Sequence, residues 1–188
     1  MLEAFTLQRA QDNAEAPSVQ KDYSMIFDPP TFLLIHVALS VLGILSGLVV
    51  VGGLMAGIRF ERWLAIYFIT TVLTSVTGFA FPSVTLLPSH LFGILSLLVL
   101  PVAIAARYWK QLAGKWRQTF VIATVVALYL DFFVLVAQLL AKIPALAMIA
   151  PTPQAPVFAV CQGVVLLIFI GIGWASVKGM RGGRTWAG

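Results

Sequence analysis

Five apolar runs, separated by clusters of charge or proline, set the pattern of this chain. They cover about Thr31 to Gly57, Trp63 to Phe81, Ser89 or His90 to Ala106, Gln118 to Ala141, and Val157 to Val177. Each is close to the roughly 20 residues that an α-helix needs to cross a bilayer core of about 30 Å. Arg59, Glu61 and Arg62 break the first run from the second, and Pro82 and Pro88 bracket a short uncharged turn after it. A basic loop follows the third run. Pro144, Pro151, Pro153 and Pro156 mark a connection before the fifth that cannot be regular helix throughout. The pattern predicts an all-α integral membrane protein with a five-transmembrane-helix bundle.

Composition agrees. Hydrophobic residues make up 60% of the 188 and charged residues 10%, against about 25% charge in an ordinary soluble domain. The mean hydropathy of +0.98 is more than a soluble core of this size can hide. The polar segments divide the chain into an acidic N-terminal tail (1–28), a membrane domain (29–178) and a basic tail (179–188). The first apolar segment is expected to act as the targeting signal, because the first residues lack the basic and apolar pattern of a cleavable signal peptide.

The charge fixes an expected orientation. Arg59, Arg62, Arg107, Lys110, Lys115, Arg117, Lys178, Arg181 and Arg184 fall on one side of the five runs, and only Arg9, Lys21 and Lys142 on the other. The positive-inside rule then predicts the N-terminus outside and the C-terminus in the cytoplasm, as expected in a bacterial inner membrane. Trp63, Trp109, Trp116 and Trp174 lie near the cytoplasmic ends, where indole rings prefer the headgroup level. The net charge of +5 is explained by this flanking bias, and no nucleic-acid partner is expected. The lone Cys161 excludes an intramolecular disulfide and reads as an inert thiol in an apolar run.

Familiar catalytic patterns are missing from the sequence. It has no internal repeat of the inverted-repeat transporters, no phosphate-binding glycine loop and no Cys/His zinc spacing. No motif ties a serine to a base and an orienting acid.

Polar residues within the runs carry the candidate chemistry. At 1.5 Å per residue, His36 lies roughly 7 Å below the outer surface, His90 close to that surface, and Asp131 about 10 to 15 Å from it. Gln138 is two turns further out on the fourth run, Gln162 enters from outside on the fifth, and Thr74, Ser75 and Thr77 occupy the outer half of the second. The expected site is therefore a polar, protonatable cavity in the extracytoplasmic half, lined by His36, Thr74, Asp131, Gln138 and Gln162. An ionisable group this deep costs about 3 kcal/mol to insert charged, so Asp131 is expected to be functional or partnered. His36, Ser40, Gly43 and Gly47 form a stripe of small residues that lets a neighbouring helix approach. Thr124, Asp131 and Gln138 recur every seven residues and predict one polar face directed into the bundle.

His36 and His90, on separate runs, resemble the bis-histidine pattern of small b-type cytochromes. That resemblance implies a haem b, or a metal ion, held between these two residues near the outer face. Two-haem cytochromes of this kind use two such pairs, whereas this chain offers one. The other readings are a carrier, channel or receptor for a small solute or proton, and a non-catalytic accessory or assembly subunit of a larger membrane complex. The expected partners are the lipid bilayer and a membrane protein or a second copy of the chain.

Overall fold

The structure is a computed structural model, and it describes residues 29–79, 88–150 and 152–182. The acidic tail 1–28, the turn after the second span and the end of the basic tail lie outside the described residues. The chain divides into two compact units, residues 1–38 and 39–188. The described part of the first is the opening of a helix.

Among the described residues the fold is all-helical, with no strand. Helices α1 (Pro29–Met55), α2 (Glu61–Phe79), α3 (Pro88–Ile104), α4 (Trp116–Lys142), α5 (Pro144–Ala147) and α6 (Pro156–Gly182) follow one another in the chain. A π-helical turn, Ala105–Trp109, extends α3. Five segments are long and apolar enough to cross a membrane: α1, α2, α3 with its π turn, α4 and α6. They match the five runs of the sequence.

The helix ends have local causes. Helix α1 closes in a Schellman motif: Gly57 takes φ +72°, Ile58 N–H donates to the Gly53 carbonyl at 2.8 Å and Gly57 N–H to that of Leu54 at 3.1 Å. Pro101 sits inside α3 without an amide to give to the preceding turn. The helix loosens four residues later into the π turn, capped by Lys110 N–H on the Ala105 carbonyl at 2.9 Å. Ile143 ends α4 at φ −84°, ψ 116°, the extended conformation imposed on a residue before proline. Among its described residues the proline-rich connection holds the single helical turn α5.

Within the second unit, contacts alternate in direction from one span to the next. A Cβ on Gly43 would touch Thr70 and Thr71, and one on Gly47 would touch Tyr67, so α1 and α2 run antiparallel. Gln162 reaches Phe133 and Gly173 faces Val125, which makes α6 antiparallel to α4. Tyr67 and Thr71 of α2 reach Thr124 and Asp131 of α4 in the same order, as two helices of like direction must. The α1–α2 turn, the loop before α4 and the end of α6 therefore share one end of this unit, and that end is basic. There Glu61 accepts from Arg107 at 2.9 Å and lies 3.6 Å from Arg59.

Candidate functional site

Two polar contacts join α2 to α4. Tyr67 is completely buried, and its hydroxyl donates to the Thr124 carbonyl at 3.3 Å. One turn further along α2, the Thr71 hydroxyl donates to Asp131 Oδ2 at 3.5 Å, a length that makes the bond weak. The spacing explains the pairing: Tyr67 and Thr71 are separated by four residues and share a helix face, as do Thr124 and Asp131 at seven.

The small residues of α1 lie over these contacts. A Cβ built on Gly43 would come 3.4 Å from both Thr70 Oγ1 and Thr71 Oγ1. One built on Gly47 would come 2.6 Å from Leu128 Cδ1 and 2.9 Å from the Tyr67 ring. Gly43 and Gly47 are thus the surface that lets α1 close on α2 and α4. Ser46, between them, is buried and returns its hydroxyl to its own helix, at the Leu42 carbonyl, 2.6 Å away.

Asp131 is half-buried near the middle of α4, about 22 Å along the helix from Trp116 and about 17 Å from Lys142 at the usual rise. Among the described residues it has no ion pair. Thr74, one turn beyond Thr71, keeps its hydroxyl oxygen buried with no hydrogen-bond partner. Gln162 of α6 is 6% exposed; its amide donates to the Phe133 carbonyl at 3.0 Å, while its Oε1 is buried and unpartnered. Beside it, Phe133 stacks on Phe92 at 4.1 Å and meets Phe158 and Tyr129 edge-on, so aromatic rings fill the space between α3, α4 and α6.

The remaining candidates separate from this site in different ways. Thr124 is buried and Asp131 half-buried, but Gln138 is exposed. The inward face expected for the fourth run therefore ends before Gln138. Positions fourteen residues apart are turned only about 40° from one another on a straight helix, and Gln138 lies one turn before the end of α4 at Lys142. His36 belongs to the first unit and His90 opens α3 in the second, so the haem b or metal assigned to that pair rests on the sequence alone. Among the described residues no group of three or more His, Cys, Asp and Glu side chains is placed to hold a metal ion. Thr70 and Thr77 bond back to their own helix at 2.7 Å, the usual habit of such residues in apolar helices.

Sequence reasoning missed Tyr67 and Thr71. Their signal was present: a tyrosine and a threonine four apart match one turn of a polar face, opposite the heptad of Thr124 and Asp131. Comparison with protein-family models, curated proteins and solved structures gave no match to this chain.

Proposed function

We propose that this chain is a small integral membrane protein that takes up and releases a proton at Asp131, with its N-terminus outside and its C-terminus in the cytoplasm. One observation carries the reading: a carboxyl group stands in the middle of an apolar, 27-residue helix, met by a neutral hydroxyl and, among the described residues, by no cation. A permanent charge there costs about 3 kcal/mol. A carboxyl that exchanges a proton avoids that cost in its neutral form and gains function from the other.

Thr71 suits the task. Its hydroxyl donates to the carboxylate and can accept from the carboxylic acid, so one side chain serves both protonation states. The buried oxygens of Thr74 and Gln162 are further acceptors in the outer half, and exposed Gln138 marks the end of α4 from which a proton would enter. Tyr67, Gly43 and Gly47 position the helices and touch no proton in this scheme. The orientation follows from the basic end of the second unit, which the positive-inside rule assigns to the cytoplasm.

The test is proton flux into sealed vesicles. Purified protein in proteoliposomes, driven by a potassium diffusion potential and followed with an entrapped pH dye, should pass protons, and Asp131→Asn should abolish the flux while keeping its helical circular dichroism. Equal flux from the two proteins, or none from the wild type, would remove Asp131 from this role.

A further inference from the structure

At the basic end of the second unit, Gly114, Lys115, Arg117, Gln118, Met180 and Arg181 line a cleft of about 400 Å³ between the start of α4 and the last turn of α6. That size suits a small ligand or headgroup. The lining holds three cations and no carboxylate. Only two acidic residues occur among the described residues, Glu61 and Asp131. Glu61 is engaged by Arg59 and Arg107, and Asp131 is fourteen residues along α4 from Arg117, about 21 Å. Lys115, Arg117 and Arg181 therefore have no ion pair among the described residues. Arg117 Nε is also buried without a hydrogen-bond partner, an arrangement that leaves a strong donor unsatisfied.

The backbone adds to the attraction. Helix α4 begins at Trp116 with no acidic residue in its first turn and no side-chain cap from Lys115; the Trp116 and Gln118 amides are taken by the Ala113 and Lys115 carbonyls, so the helix contributes its positive dipole end to the attraction of an anion. Arg181, in the last turn of α6, offsets the negative end of that helix. The surroundings select the source of the anion. Trp116 and Trp174 are exposed at this end, with Lys110 and Lys178 lying over their rings at 5.5 and 5.1 Å, the arrangement expected of side chains at headgroup depth. Met180, completely buried, gives the cleft an apolar floor.

We infer that this cleft binds the phosphate of an anionic phospholipid headgroup, with Arg117 and Arg181 as the principal donors and Lys115 as a further charge. Arginine is suited to this, because its planar fork can meet two phosphate oxygens at once. The site is independent of Asp131.

The experiment is lipid competition read by native mass spectrometry. Protein in detergent is titrated with mixed micelles of phosphatidylglycerol and phosphatidylcholine, beside the Arg117→Gln, Arg181→Gln and Lys142→Gln variants. The wild type should retain phosphatidylglycerol preferentially, and each arginine substitution should lower that preference about five-fold. Lys142→Gln, at the far end of α4, should leave it unchanged. The Lys178→Gln variant separates site from general charge, since it removes one cation from the same end without touching the cleft. Equal retention of the two lipids, an equal loss in Lys178→Gln, or displacement of the bound lipid by millimolar inorganic phosphate would each overturn the lipid assignment.

Discussion

Replacing Gly47 by alanine tests how tightly α1 is seated on the polar contacts between α2 and α4. The added methyl would stand 2.6 Å from Leu128 Cδ1 and 2.9 and 3.0 Å from two carbons of the Tyr67 ring. Carbon atoms rest at about 3.5–4.0 Å, so these neighbours must retreat by about 0.5–1 Å. Neither has room. Leu128 and Tyr67 are both completely buried, and the Tyr67 hydroxyl is tied to the Thr124 carbonyl at 3.3 Å. Overpacking of this kind costs about 1–3 kcal/mol, offset by the roughly 0.5–1 kcal/mol that alanine gains over glycine inside a helix. The net expectation is a loss of up to about 2.5 kcal/mol. Gly52 on the same helix is the control, because a Cβ there meets nothing within 4 Å. Reversible unfolding in mixed micelles with a denaturing detergent, followed by tryptophan fluorescence, measures both. If Gly47→Ala and Gly52→Ala unfold together, α1 does not sit on Tyr67 and Leu128 as described.

Gly179→Ala should cost more than Gly47→Ala in the same assay, since its Cβ would collide with the Met55 carbonyl oxygen and lie 2.8 Å from that of Leu54. Backbone cannot rotate aside as a leucine tip can, and the end of α6 must move; stability matching Gly171→Ala, where nothing lies within 4 Å, would contradict the close packing. For the orientation, a Lys110→Cys variant in sealed cells should resist a membrane-impermeant thiol reagent added outside and react after permeabilisation. Labelling before permeabilisation would reverse the assigned sides.

The five long apolar helices were legible in the sequence because a long run without charge is a coarse signal that needs no knowledge of neighbours. Their ends were less legible. Helix α6 continues to Gly182, past the expected stop at Val177, because Lys178 and Arg181 are good helix formers and polarity alone does not end a helix. The third span departs differently: Pro101 was visible, but hydrophobic periodicity does not distinguish an α turn from the π turn that carries the helix on to Trp109. Asp131 stood out for the cost of placing it in an apolar helix. Its partner Thr71 did not, since hydrophobic periodicity tells which face of a helix is polar and not which helix meets it.

Gly43, Gly47, Tyr67, Thr71, Thr124 and Asp131 are best understood as one device. A hydroxyl can approach a carboxyl between two apolar helices only if those helices are held in register, and for helices that cross a membrane no hydrophobic force between them would do so. Close packing supplies the register here: the two glycines let α1 lie against the Tyr67 ring and the Thr71 hydroxyl together, and the buried Tyr67 ring, with its long 3.3 Å bond to the Thr124 carbonyl, sets how α2 lies along α4. Thr71 is then set one turn away at Asp131, where its 3.5 Å contact is weak enough to be lost without opening the interface, as the proposed exchange of a proton requires. A strong ion pair at that position would hold the helices as well, but it would lock the carboxyl in one charge state. The weakness of the contact therefore suits the proton exchange proposed for Asp131, and the burden of stability falls on the glycines and the tyrosine.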